Sequence, residues 1–409
     1  DWSSDVCSSD LVSVRWSLVS VSLAAGLAFV QTAAAQDSGS GVHWRQAPSV
    51  DLGGVFHGTV HAEAQLIGHG FPPSVQPAGT APLELHRARV GLDGSWTPMV
   101  SFQVDRELRS SDAAWRDAYV NVRSSRWLQV RVGQFKMPFS LDQLTSSQDR
   151  SFVYRSIAGT YLAPGRDVGA MVHGRSGTRV AYNVGVFRRG GENVRASERT
   201  APQTDRTVAV RVVLTPFGQG RGGARSWSLG ASTTTSRLPE GFNSVRGKTF
   251  GERAVLPVLA VSGLRHRYGL ESRWSPGALV LQAETIAAID ERRHQGLDNR
   301  TLPPVVVHGF YASATWQRRR RASETPSLAV AARWEGLQMT GDRSPTASLS
   351  PRAATPPDTR LRAVTVGASW APTPFTRLQI DLIHERSASA AIPGTTVTWS
   401  PVVAWHMGF

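Results

Sequence analysis

The stretch that decides the fold is Thr396-Val397-Thr398-Trp399-Ser400-Pro401-Val402-Val403-Ala404-Trp405-His406-Met407-Gly408-Phe409, with Trp399, Val403, Trp405, Met407 and Phe409 at alternate positions. Successive side chains of an extended strand point to opposite faces, so these five share one face. An apolar face carrying aromatic rings suits a strand whose outer side meets lipid and whose rings lie at the membrane–water boundary. The same period of two recurs upstream. Arg87, Arg89 and Asp93 alternate with Ala88, Val90 and Leu92, and Gln129 and Arg131 with Leu128, Val130 and Val132. Arg265, Arg267, Glu271 and Arg273 oppose Leu264, Tyr268, Leu270 and Trp274, and Arg377, Gln379 and Asp381 oppose Leu378, Ile380 and Leu382. Such strands fit either a half-buried soluble sheet or a membrane barrel.

The connections separate the two. About sixteen alternating segments run from near residue 58 to near residue 403, and their links alternate in length. Short links fall at 95–98, 123–126, 174–178, 216–224, 274–277, 318–326 and 370–374, and longer ones at 66–82, 136–166, 188–205, 236–260, 291–304, 339–359 and 386–395. Tight turns at one end and long loops at the other, with an even strand number, are features of an outer-membrane barrel. The expectation is therefore an all-β, transmembrane antiparallel β-barrel of about sixteen strands. The terminal Phe409 behind an alternating strand resembles the signal read by outer-membrane assembly machinery.

The beginning of the chain supports export. Leu18–Val30 is an apolar run preceded by Arg15 and followed by small residues at Ala33 and Ala35, so residues 12–35 read as a signal peptide cleaved before Gln36. Residues 1–11, acidic and Ser-rich, do not suit the start of such a signal and read as a non-native leader; residues 36–409 form the barrel domain. The only cysteine, Cys7, lies in that leader. Beyond residue 35 no apolar run approaches the ~18 residues that a membrane-spanning helix needs. The net charge of +14 becomes +16 when Asp1, Asp5, Asp10 and Arg15 are removed, and it is nearly all arginine: Lys136 and Lys248 are the only lysines.

The stretch from Leu85 to about Gly174 resembles the porin O and P family, whose best-known members are phosphate-selective porins. The resemblance rests on Arg87-Ala88-Arg89-Val90-Gly91 with Asp93-Gly94, Asp117-Ala118-Tyr119-Val120, and Arg131-Val132-Gly133-Gln134-Phe135-Lys136-Met137-Pro138-Phe139. It continues through Leu144-Thr145-Ser146-Ser147, Tyr154-Arg155-Ser156 and Ala163-Pro164-Gly165-Arg166-Asp167-Val168-Gly169. It implies a sixteen-stranded homotrimeric porin whose third loop, residues 136–166, folds into the pore as a constriction. It further implies that Ser146 and Ser147 match the family's constriction serines, Arg155 its arginine and Asp117 its aspartate. The family's lysine falls at Gln143, which can donate a hydrogen bond but adds no charge; Arg150 and Arg166 are placed to restore part of the field.

The residues lead to the same chemistry without the family. Only inward residues of a wide barrel can select solutes, and arginines there favour anions. Arg87, Arg89, Arg131, Arg211, Arg265 and Arg267 are expected to line the pore, as are Arg123, Arg273, Arg333 and Arg377, each with the alternative of pairing with a neighbouring carboxylate. The function expected is passive diffusion of inorganic anions, phosphate or polyphosphate among them, with no cofactor, no metal and no catalytic residues. A general porin without phosphate selectivity and a non-channel barrel, adhesive or structural, are the alternatives. Enzyme motifs are poor: Gly218–Gly223 opens no helix, His61-Ala62-Glu63 and His384-Glu385 lack a second histidine at ligand spacing, and no G-x-S-x-G elbow occurs. The run Arg318–Arg321 would suit nucleic acid by charge alone, but an exported chain meets acidic lipid or envelope polymers instead, so no nucleic-acid partner is expected.

Overall fold

A computed structural model describes residues 41–44, 47–53, 55–70, 82–109, 115–191, 206–218, 226–319, 326–343 and 350–409. Residues 1–11 and 12–35, expected as leader and signal peptide, and Arg320 and Arg321 of the basic run lie outside the described residues. Sixteen strands follow one another: β1 (Phe56–His69), β2 (Leu83–Trp96), β3 (Val100–Glu107), β4 (Trp115–Arg123), β5 (Gln129–Lys136), β6 (Arg166–Ser176), β7 (Val180–Phe187) and β8 (Thr207–Leu214). They continue as β9 (Ser228–Gly241), β10 (Val261–Trp274), β11 (Leu279–Arg292), β12 (Leu302–Arg319), β13 (Pro326–Thr340), β14 (Thr359–Thr373), β15 (Thr376–Ser389) and β16 (Ile392–Gly408). Every strand pairs antiparallel with the next, and β16 pairs back onto β1 from Val402↔His69 to Gly408↔Glu63. The sheet is a closed sixteen-stranded antiparallel barrel.

Alternation sorts the side chains as the period of two requires. On β10, Tyr268 and Leu270 are 50% and 61% exposed on the outer face, whereas Arg265, Arg267 and Glu271 are buried on the inner one. On β16, Trp399, Val403, Trp405 and Phe409 face out while Ser400, Val402, Ala404 and His406 face in. The closing seam has two parts. Phe409 exchanges both backbone hydrogen bonds with Ala62, at 3.1 Å each, and there β16 ends. A short strand, Pro48–Leu52, takes over against the lower half of β1, with Ser49 opposite Thr59, and is itself paired with Gly41–Trp44.

The strands are not of equal length. β3 to β8 have 8–11 residues, whereas β9 to β16 have 14–18. The tall side shortens loops expected to be long. The link expected over 386–395 is a turn of Ala390 and Ala391, because β15 and β16 stay paired through Ala388↔Thr395. Its Ser- and Ala-rich composition reads as loop in sequence, yet above the hydrocarbon a hairpin needs no apolar face.

Residues 137–165, between β5 and β6, turn inside the barrel and carry two helices, α1 (Leu141–Leu144) and α2 (Ile157–Tyr161). Each helix is capped by a serine: Ser140 Oγ accepts from Gln143 N and Ser156 Oγ from Gly159 N. A second segment, 242–260 between β9 and β10, also turns inward, with Gly247–Lys248 paired to Ala254–Leu256. Its Val245, Leu256 and Leu259 join Phe139, Ile157 and Leu162 and the wall residues Leu337, Met339 and Leu361 in one apolar cluster. The largest hydrophobic core among the described residues thus lies within the lumen, between two loops and the tall wall. Residue 309 must be glycine for α2 to seat there, since a Cβ would lie 2.9 Å from both Ala158 Cβ and Leu162 Cδ1. Gly309→Leu should overpack this contact by about 1–3 kcal/mol and displace α2. The barrel should still show folded mobility in unheated gels, while its single-channel conductance departs from wild type.

Candidate functional site

The inward loop crosses the barrel and is tied to the far wall mainly through its own backbone. Glu284 on β11 accepts from Asp142 N at 3.2 Å, Asp381 on β15 from Val153 N at 2.8 Å, and Glu335 on β13 from Ile157 N at 2.6 Å. Arginines hold the carbonyls. Arg377 donates to Gln148 O at 2.6 Å, Ser147 O at 3.0 Å and Arg150 O at 3.3 Å, and Arg333 donates to Tyr154 O at 3.0 Å. Segment 242–260 is held the same way: Asp290 accepts from Val245 N at 2.9 Å and Glu385 from Phe250 N at 3.0 Å. Buried backbone donors need acceptors, and these wall carboxylates supply them.

Opposite this anchorage, the loop faces β1–β6 across a crowd of cations. Arg87 donates to Glu63 at 3.0 Å and Arg89 to Glu107 at 2.9 Å; Arg116 stands 3.6 Å from Glu107. Arg166 grips Asp117 Oδ2 with Nε at 3.0 Å and Nη2 at 2.6 Å. Lys136 Nζ donates to Leu144 O at 3.1 Å and Thr145 O at 3.4 Å, just where α1 ends. Arg155 donates to Thr145 O at 3.0 Å and to Asp142 O. Arg150 is 8% exposed, and among the described residues it has no ion-pair partner and its Nε no hydrogen-bond acceptor. Burial first, then the fields of Arg155 and Arg87, pull its guanidinium well below the ordinary arginine range. Arg155 is lowered by burial too, Asp142 opposing and Arg87 and Arg166 adding to the shift. Eight cations (Arg87, Arg89, Arg116, Lys136, Arg150, Arg155, Arg166 and Arg377) thus interact with six carboxylates, Glu63, Glu107, Asp117, Asp142, Asp149 and Asp381. The cations outnumber the carboxylates.

The sequence-derived residues divide between this cluster and elsewhere. Arg87, Arg89, Asp117, Arg150, Arg155 and Arg166 meet in it. Ser147 is buried and hydrogen-bonded to Glu63, and Ser146 is exposed beside it. Gln143 is buried within α1. Arg131 lies apart, its guanidinium 4.2 Å over the Tyr119 ring. Arg211 is paired with Glu271. Arg265 is 1% exposed, bound to Asp290 at 2.5 Å and to Asn243 O at 2.7 Å, beneath segment 242–260. Arg267 is buried on the same inner face. Sequence reasoning missed Lys136 and Arg116 as members of the cluster. One signal was present: Lys136 is one of two lysines in a chain that otherwise uses arginine.

A barrel of this size with a loop folded across a cationic lumen has clear counterparts. The family model for phosphate-selective porin O and P matches residues 74–391. The chain belongs to the porin O and P family. Solved structures with the same fold include a loop-deletion mutant of OmpT, an outer membrane protein of Vibrio cholerae, at 10% identity and TM-score 0.58, covering 87% of this chain and 100% of that one. An anion-selective porin from Comamonas acidovorans matches at 12% identity and TM-score 0.53, over 87% and 100% of the two chains. The outer membrane channel DcaP of Acinetobacter baumannii matches at 9% and 0.56, over 87% and 97%. A search of curated proteins finds no match. The porin resides in the outer membrane of a Gram-negative bacterium.

The porin's buried Arg265–Asp290 pair is an anchor whose loss has a calculable sign. Arg265→Leu leaves Asp290 without its cation, at a cost of about 3–5 kcal/mol. The urea midpoint of the refolded barrel, followed by tryptophan fluorescence, should fall accordingly, and R265L combined with D290L should recover part of the loss.

Proposed function

We propose that this porin carries inorganic anions, phosphate or polyphosphate foremost, by passive diffusion through the cationic constriction between the inward loop and β1–β6. The observation that carries the reading is the excess of cations over carboxylates there, around a buried Arg150 with no ion pair among the described residues. Two effects act in sequence. The excess charge, between low-dielectric walls, raises the local anion concentration. At the narrow point, guanidinium groups then replace part of the anion's hydration shell, with the fork geometry that suits a phosphate oxygen pair. Many weak ligands in a row favour entry without trapping the solute. The inner face of β2 supplies Arg87 and Arg89, the loop supplies Arg150 and Arg155, and Lys136 contributes the charge that Gln143 does not. The family description and the anion selectivity named for the Comamonas acidovorans porin support the same direction. The reading includes a homotrimer, export directed by residues 12–35, and assembly guided by the strand ending at Phe409.

The purified porin in a planar bilayer tests it through reversal potentials across a KCl gradient, followed by addition of phosphate. Anion-selective steps that phosphate blocks are the expected result. Selectivity without block would reduce the function to a general anion porin, and a folded barrel without conductance would overturn it. Arg155→Ala should bring the reversal potential at least halfway towards zero. Lys136→Gln should weaken phosphate block several-fold while leaving the barrel folded. An unchanged reversal potential in Arg155→Ala would remove that residue from the site.

A further inference from the structure

The outer wall carries a cationic patch that the pore does not use. On the tall side, aromatic residues mark two levels. Trp370, Leu378 and Trp405 form one cross-strand row on β14–β16, and Trp334, Val364, His384 and Trp399 form another on β13–β16, closer to the long-loop end. Between the rows the outward residues on β14–β16 are Val366, Ala368, Ile380, Leu382, Pro401 and Val403. Such paired aromatic rows bracket the hydrocarbon in transmembrane barrels. One step beyond the upper row, on the extracellular side, Gly336, Arg362, Arg386 and Val397 stand directly opposite one another, and the next row holds Gln338 and Arg360.

Arg362 and Arg386 are therefore direct cross-strand partners of like charge. That arrangement is destabilising in a sheet, and more so beside lipid. Among the described residues no carboxylate pairs with either; the adjacent Glu335 and Glu385 point into the lumen. The side chains are nonetheless built into the surface. Arg362 crosses Gly336, where a Cβ would lie 2.9 Å from its Cδ, and places its guanidinium 5.0 Å from the Phe310 ring centre. Phe310 in turn packs edge-on against Trp334 at 4.7 Å. Arg360 reaches Asp358 at 3.3 Å, and His384 packs at a tilt against Trp399, with ring centres 4.4 Å apart.

We propose that Arg362 and Arg386 together hold a phosphate group of an outer-leaflet glycolipid, its acyl chains lying on the apolar wall below. Arg362 leans away from Arg386 over Gly336, and an anion between the two positions neutralises both and is matched by two guanidinium forks. The chemistry resembles that of the pore, but the side chains are on the opposite face of the strands, at headgroup depth, so the source is a lipid and not a permeating ion. The inference is independent of the proposed anion transport.

Native mass spectrometry of the purified porin, titrated with bis-phosphorylated lipid A, tests the assignment. Wild type should retain lipid A through delipidation with occupancy at least ten-fold above that of dephosphorylated lipid A, and R362Q combined with R386Q should abolish the difference. Conductance and reversal potential of that variant should stay at wild-type values, which separates this site from the pore. R362K combined with R386K, which keeps charge but not the fork, should retain intermediate occupancy and serves if the glutamine variant fails to fold. Equal retention of the dephosphorylated lipid, undiminished binding by the glutamine variant, or loss of oligomer in that variant (the patch then being covered by a second copy) would each overturn it.

Discussion

Every backbone N–H and C=O within a bilayer must find its partner inside the protein, and the rest of this molecule follows from that constraint. It forces the sheet to close. It also governs the interior, because a loop driven into a lumen carries its own unpaired backbone with it. Here the wall answers with carboxylates: Glu284, Asp381, Glu335, Asp290 and Glu385 each accept a loop N–H, and Arg377 and Arg333 take the loop carbonyls. Charges on one half of the lumen wall are thus occupied in holding loops. On the other half, β1 to β6, Arg87, Arg89 and Arg166 meet the carboxylates of Glu63, Glu107 and Asp117, and of the described cations there only Lys136 holds loop carbonyls.

That division explains what sequence could and could not disclose. Period-two alternation is a local property, so Leu264, Tyr268 and Leu270 against Arg265 and Arg267 identify the faces without any knowledge of neighbours. Strand number and the inward course of residues 137–165 followed from alternation, link lengths and family motifs. The partner of a given lumen arginine is a tertiary fact. Arg87 and Arg265 look alike in sequence, yet one stands in the cationic cluster beside Glu63 and the other is sealed with Asp290 under a second inward loop. Segment 242–260 gave no warning, because its Gly, Pro and Ser content reads as an ordinary external loop. In sequence Lys136 is one residue of a motif, and the chain's turn back over it at Leu144 and Thr145, which sets its contacts, is not legible there.

The lumen also combines two materials that are usually kept apart. An apolar cluster built from Phe139, Ile157, Leu162, Val245, Leu256 and Leu259 makes the loops a packed domain within the barrel. Its packing holds in place the loop that carries Arg150 and Arg155, both of them largely buried. Burial on one side of the loop thereby preorganises charge on the other.

The divided seam has a consequence for how the chain acquires its shape. Phe409 meets Ala62, and His406 meets Gln65 at 3.2 Å across 341 residues of sequence, so the last ladder joins parts of the chain that are remote until the other strands are in place. Closing so long a loop early would have little enthalpic return. Until closure, the growing sheet presents two open edges, each a template for adventitious pairing. The strand Pro48–Leu52, folded back on β1 as a local hairpin, needs no closure to cover the lower part of one of these edges, and it leaves Glu63 to His69 as the stretch that the final strand takes.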